Sequence, residues 1–147
     1  MEAFDISKSG KQKAEILAES KNVNITFSIG PLESQSYKEN SFDVIALIFA
    51  HFPSNLKEKY HEKFVKLLKP GGIIIFEAFS KDHLKLSSKN PAVGGPKDKD
   101  ILYSIDEIKK YFNGFQFEII QQEEVNLQEG KYHKGLSSVV RFVGKKQ

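Results

Sequence analysis

His51 follows the almost unbroken apolar run Phe42-Asp43-Val44-Ile45-Ala46-Leu47-Ile48-Phe49-Ala50. An imidazole there can take a proton from an attacking thiol, amine or hydroxyl, or it can simply satisfy a loop carbonyl. Ligands of open α/β sheets gather beyond the carboxyl ends of the strands, so Phe49-Ala50-His51-Phe52 is the candidate reaction centre, with Phe49 and Phe52 as pocket wall or core. Glu77 interrupts a second apolar run, Ile73 to Phe79. Its carboxylate needs a cleft or a cation to offset the cost of burial, which leaves a substrate-side role or a salt bridge at the sheet end. Asp5 ends a short strand at Phe4-Asp5, where a carboxylate can accept from both ribose hydroxyls of a nucleotide or cap the next helix.

Other chemistry-bearing residues carry blander expectations. His61 falls on a charged helix face and His83 and His133 fall in polar loops, so all three read as surface residues; no metal-ligand spacing links them. Asp43 precedes its strand, at the end away from the ligand side, and suits local hydrogen bonding. Asp98 and Asp100 alternate with Lys97 and Lys99 in a loop, a pattern of solvated charge.

The elements that must position these residues follow from periodicity and breakers. Ser7 can cap a helix over about Ser9 to Ser20, accepting from an amide near Gly10, with Ala14, Leu17 and Ala18 as its apolar stripe. Asn24 to Ser28 reads as a strand and Gly30-Pro31 as its break. Phe42 to Ala50 reads as a central parallel strand needing cover on both faces. Ser54 can cap the next helix, whose apolar face is Leu56, Tyr60, Phe64, Leu67 and Leu68, and Lys69-Pro70-Gly71-Gly72 ends it and opens the buried strand Ile73 to Phe79. Ser80 to Tyr103 shows little periodicity and is long for a connection, as lids are. Ser104 and Glu107 form a capping box for a short helix ending at Gly114. Phe115 to Val125 and Leu136 to Val143 read as antiparallel strands joined near Gln128-Glu129-Gly130. No linker separates two domains, so one domain over residues 1–147 is expected.

Composition bounds the functional classes. At 147 residues, 39% hydrophobic and with 12 Phe, the chain can bury a real core. A net charge of +3, with lysines scattered among acids, argues against a nucleic-acid surface. No apolar run is long enough to span a bilayer and no leader is visible, so a cytoplasmic location and no membrane partner are expected. Zero cysteines exclude disulfides, thiolate metal sites and a cysteine nucleophile.

Taken together, Phe4-Asp5-Ile6-Ser7, Ser41-Phe42-Asp43-Val44-Ile45 and Leu67-Leu68-Lys69-Pro70-Gly71-Gly72 resemble the second strand end, fourth strand and pre-fifth-strand turn of the class I S-adenosylmethionine-dependent methyltransferases. Glu77-Ala78-Phe79-Ser80, Gly94-Gly95-Pro96 and Leu102-Tyr103-Ser104 are similar to the tellurite-resistance-like small-molecule methyltransferases. The resemblance implies an α/β Rossmann-like sheet, mostly parallel, with a C-terminal antiparallel hairpin. It further implies S-adenosylmethionine as cofactor and methyl transfer to a small acceptor, with Gly94-Gly95-Pro96 as part of a lid. By the same resemblance Asp5 and Ile6 would meet the ribose, backbone near Pro31 and Leu32 or the Glu33 side chain would meet adenine, and Phe49 and Ala50 would line the cofactor. His51 would be the base, with Phe52 and Glu77 on the substrate side.

The family's first strand and Gly-x-Gly turn have no counterpart in this sequence, and Pro31 stands where an acidic residue often follows the glycine. The sheet is therefore expected to be incomplete at its first strand and cofactor binding by the shortened chain to be weak. The strand ending at Asp5 would pair directly with Phe42 to Ala50 or be completed by another chain, through a homodimer or strand exchange. Two other readings stand beside the enzyme: a non-catalytic dimeric fragment or interaction module, and a nicotinamide-dependent dehydrogenase using Asp5 on a ribose.

Overall fold

In the computed structural model, which describes residues 1–130 and 133–147, Met1–Lys38 and Glu39–Gln147 form two compact units. The first contains β1 (Glu2–Asp5), α1 (Lys8–Ser20) and β2 (Thr26–Ile29). Its two strands pair in parallel, Glu2 with Thr26 through Asp5 with Ile29, so Asp5 and Ile29 share the carboxyl end. As the sequence predicts, Ser7 caps α1, its Oγ accepting from Gly10 N–H at 3.0 Å. The helix stripe is less buried than its pattern suggests: Ala18 is buried but Leu17 is exposed.

The second unit contains β3 (Phe42–Ile48), α2 (Ser54–Leu67), β4 (Leu68–Phe79), α3 (His83–Ser87), α4 (Ile105–Tyr111), β5 (Phe115–Glu129) and β6 (His133–Lys146). These strands form a mixed sheet in the order β3-β4-β6-β5, with β3 and β4 parallel and the other pairings antiparallel. Side-by-side parallel pairing of Val44–Ile48 with Ile73–Glu77 is the expected arrangement. The hairpin strands run further than their apolar patterns suggest, and Lys131 and Tyr132 of their connection lie outside the described residues.

One sheet face holds the core. Leu47, Phe76 and Phe142 occupy one cross-strand row, and Ile74, Ala78 and Val140 extend the same face. α2 covers it with Lys57, Tyr60, His61, Phe64 and Leu67, which recur at three- and four-residue spacing and are all buried. From α4 come Ile108 and, just beyond it, Phe112, whose ring lies 4.8 Å from that of Phe142.

Several expectations need correction. β3 is not a covered central strand: it ends the four-strand order, and Val44 and Ile48 on its second face are 48% and 54% exposed. Of the two options for the strand ending at Asp5, direct pairing with β3 is not seen among the described residues; its ladder partner is β2, with α1 as the crossover that a parallel βαβ pair requires. Ser54 lies inside the first turn of α2, and Pro53 is the cap residue, without a side-chain bond. Lys69-Pro70-Gly71-Gly72 is an irregularity within β4: Phe42 pairs with Leu68, but Val44, two residues on, pairs with Ile73. Gly71 has φ +74°, and a Cβ on Gly72 would lie 2.8 Å from Leu68 Cγ. Ser80 to Tyr103 has structure of its own, α3 and two single turns, and is closed by a parallel bridge between Ser80 and Tyr103.

His61 is fully buried, contrary to its surface reading, because it sits one residue beyond Tyr60 on the inward face of α2. Its Nδ1–H donates to Lys57 O at 2.5 Å, and Nε2 has no partner among the described residues. Burial is the main cause holding its pKa at about 4, below the ordinary 6.5. The folded imidazole stays neutral while the unfolded one protonates, so this contribution is complete above about pH 6.5 and is lost as pH falls toward about 4, on the order of 3 kcal/mol. Urea denaturation between about pH 7 and about pH 4.5 should show stability falling with acid, and His61→Phe should flatten that slope measurably.

Candidate active site

In the first unit, the carboxyl ends of β1 and β2 bring Asp5 and Gly30 together: Gly30 N–H donates to Asp5 O at 3.0 Å. One Asp5 oxygen, Oδ1, accepts from Ser7 N–H at 2.8 Å, which fixes the carboxylate in an Asx turn. The other is open among the described residues, and Ile6 beside it is largely exposed. Gly30 has φ +138°, and a Cβ there would lie 2.6 Å from Ser34 Oγ, so only glycine allows the turn into Pro31. Pro31 O already accepts from Ser34 N and Ser34 Oγ; Leu32 is buried and Glu33 is exposed. An oriented acceptor beside a tight glycine turn fits a ribose diol and an adjacent planar base. The residues present therefore fit the nucleoside half of S-adenosylmethionine.

In the second unit, the segment after β3 is held from three directions. Phe49 N–H donates to Glu77 O at 2.7 Å, Ala50 O accepts from Tyr103 Oη at 3.1 Å, and His51 bridges two further backbone groups. Phe49 carries φ +49°, a left-handed conformation that costs a bulky residue about 1–3 kcal/mol and clusters at functional sites. Nothing in the sequence signals it. Its ring packs 4.8 Å from that of Phe79 and 5.4 Å from that of His133. Phe52 turns instead to α2, edge-on to Tyr60 at 5.0 Å and His61 at 5.7 Å.

His51 Nδ1–H donates to Ile101 O at 3.2 Å, and Nε2 accepts from Phe79 N–H at 3.4 Å. Burial is the leading cause that lowers its pKa to about 4, so the ring is neutral at pH 7. In this geometry it can take a substrate proton only by releasing Phe79 N–H. Glu77 meets Arg141, whose Nη2 lies 3.0 Å from its Oε1 while Nη1 reaches Glu123 Oε1 at 2.7 Å, so a ladder of charge crosses β4, β6 and β5. Asp43 binds Lys69 at 2.6 Å, a local pairing. Asp98 caps its own turn through Asp100 N–H.

His83 is also buried, against its surface reading, because α3 directs it back under Gly94 and Gly95. Its Nε2–H donates to Gly94 O at 3.0 Å, Nδ1 accepts from Ser138 N–H at 3.4 Å, and its ring stacks on Phe79 at 4.0 Å. Gly94 and Gly95 both have positive φ, and a Cβ on Gly95 would meet Phe79 and His83 at 2.9 Å.

Sequence reasoning missed Lys57, which sits on the buried face of α2 where a lysine would normally be taken for solvated. Nζ donates to Leu102 O at 2.5 Å and Asp100 O at 3.1 Å, pairs with Glu107 at 3.3 Å and lies 4.2 Å over the Tyr103 ring. Its spacing from Tyr60, His61 and Phe64 was the available signal.

The family profile for "Methyltransferase domain" matches residues 1–113. The chain belongs to the methyltransferase-domain family. No curated protein matches it. Solved structures align along nearly its whole length. A SAM-dependent methyltransferase from Methanosarcina mazei is 18% identical with a TM-score of 0.70, the alignment covering 99% of this chain and 81% of that one. TehB from Haemophilus influenzae reaches a TM-score of 0.74 at 15% identity, covering 99% of this chain and 49% of its own. The YcgJ protein from Bacillus subtilis gives 0.69 at 16%, covering 99% and 82%. At these identities the likeness is one of fold, and it agrees with the expected Rossmann-like sheet with its C-terminal hairpin.

In this methyltransferase-domain chain, Lys57 is the clamp that closes residues 100–102 over the strand ends. Lys57→Met should cost about 2–3 kcal/mol in thermal or urea denaturation, because two carbonyls lose a charged donor. It should also speed amide exchange at Lys99–Tyr103 more than at β4.

Proposed function

We propose that this protein transfers a methyl group from S-adenosylmethionine to a small-molecule acceptor. The observation that carries the reading is the family match over residues 1–113, joined to an Asp5 carboxylate fixed on one oxygen and open on the other at a strand end. Asp5 and Ile6 would meet the ribose, and backbone near Pro31 and Leu32 or the Glu33 side chain would meet the adenine. At the strand ends of the second unit, Phe49 and Ala50 would form a ligand-facing wall, with Phe52 packed behind them against α2. S-adenosylmethionine supplies an electrophilic methyl group on a sulfonium and leaves as a neutral thioether. The protein's own contribution is alignment: the Phe49–Phe52 segment is held by four hydrogen bonds before any ligand arrives, and such preorganisation is the main source of rate in transfers that need little acid–base help. His51 keeps this segment in place, and Glu77 sets the charge of the acceptor side through Arg141.

Calorimetric titration with S-adenosylmethionine tests this directly. Saturable binding is expected, weakened roughly 10- to 100-fold in Asp5→Ala, as loss of a charge-assisted hydrogen bond requires. Absence of binding, or an Asp5→Ala titration identical to wild type, would remove the proposal's basis.

A second reading, self-association, is favoured by the open face of the four-stranded sheet. Val44, Ile48, Ile75 and Ile119 are each 41–54% exposed, and β3 carries no charge between Val44 and Ile48 to discourage edge pairing. Two copies related by a two-fold axis could pair β3 with β3. Light scattering should then give about twice 16.7 kDa, returning to the single-chain mass in Ile48→Lys; a wild-type monomer would sink this reading without touching the first.

A further inference from the structure

Four histidines occupy the second unit, and their surroundings divide them sharply. Both nitrogens of His51 and both of His83 are committed to backbone groups, and His61 is sealed in the core. His133, the first residue of β6, stands opposite Glu129, the last residue of β5. Its Nδ1 lies 3.6 Å from Glu129 Oε2, and its side chain retains 30% exposure. Nε2 has no partner among the described residues. The ring is edge-on to Phe79 at 5.5 Å and 5.4 Å from the strained Phe49.

Building on the methyl-transfer reading, we infer that His133, oriented by Glu129, is the proton acceptor for the methyl acceptor. A carboxylate on Nδ1 selects the tautomer that leaves the lone pair on Nε2, and it stabilises the imidazolium that forms. The ion-pair distance is one that can close to a hydrogen bond once substrate excludes water. As the acceptor's O, N or S lone pair forms its bond to the methyl carbon, the carbon–sulfur pair returns to sulfur and the acceptor's proton passes to Nε2. The cation then lies against Glu129. The other titratable groups facing His133 are His83 from α3 and His51 from the segment after β3, each held by backbone bonds that use a neutral ring. Among the described residues, Glu129 is the charged side chain paired with His133.

Two measurements test the inference. Brief treatment of the whole chain with diethyl pyrocarbonate, read by peptide mass spectrometry, should carbethoxylate His133 about tenfold faster than His51, His61 or His83, since a free, exposed nitrogen is the one that reacts. Equal labelling, or none at His133, overturns the claim whether or not cofactor binds. With S-adenosylmethionine and a phenol probe, which must lose a proton, His133→Gln should lower the rate about 100-fold and Glu129→Gln by a smaller factor. An acidic aromatic thiol, already anionic at about pH 8, should lose less than about tenfold. Equal losses on both probes would mark His133 as structural. The calorimetry on Asp5→Ala reports the methyl-transfer reading separately, so the two can fail independently.

Discussion

Phe79, the last residue of β4, is the point on which the second unit's functional end depends. Its N–H donates to His51, its carbonyl accepts from Tyr103 N–H at 3.1 Å, and its ring is packed by Phe49, His51, His83 and His133. A strand end normally leaves backbone groups to water. Here they are used to fasten two loops, and a satisfied backbone group in a dry setting costs more to undo than it contributed in forming. The glycine at position 95 follows from the same residue, because any side chain there would strike the ring.

Around that hub the imidazoles do different work. His51 and His83 act as neutral, two-ended ties, His61 as an aromatic core residue stacked on Tyr111 at 4.7 Å, and His133 as a part-exposed ring whose Nε2 has no partner among the described residues. The residue type that most resembles a catalytic signal in a sequence is thus used structurally three times out of four. Lys57 makes the complementary point. It is a cation inside the core, and what stabilises it there is a full set of carbonyl acceptors and Glu107, not solvent.

The first unit shows a simpler logic. Parallel pairing of β1 and β2 requires a crossover, α1 provides it, and the capping serine and the Asx turn at Asp5 begin that helix at the strand end. The same local chemistry that starts the helix leaves a carboxylate oxygen available. Structure and candidate site coincide because both are built from one short segment, Asp5-Ile6-Ser7.

Local sequence determined what local physics can determine. The α1 cap, the Ser104–Glu107 capping box, the parallel pair β3–β4, the hairpin and the carboxyl-end position of Phe49–Phe52 were all legible, since each depends on neighbours a few residues away or on apolar periodicity. Glu77 was legible as needing a partner, but Arg141, 64 residues on, was not. Only the tertiary structure decided which histidines are open, because His51 is satisfied by a carbonyl 50 residues away and His83 by an amide 55 residues away. It also decided that β3 keeps one bare face and that Phe49 is strained. A side chain's availability is set by the hydrogen bonds that long-range packing imposes on it, and no spacing within a strand or helix encodes that.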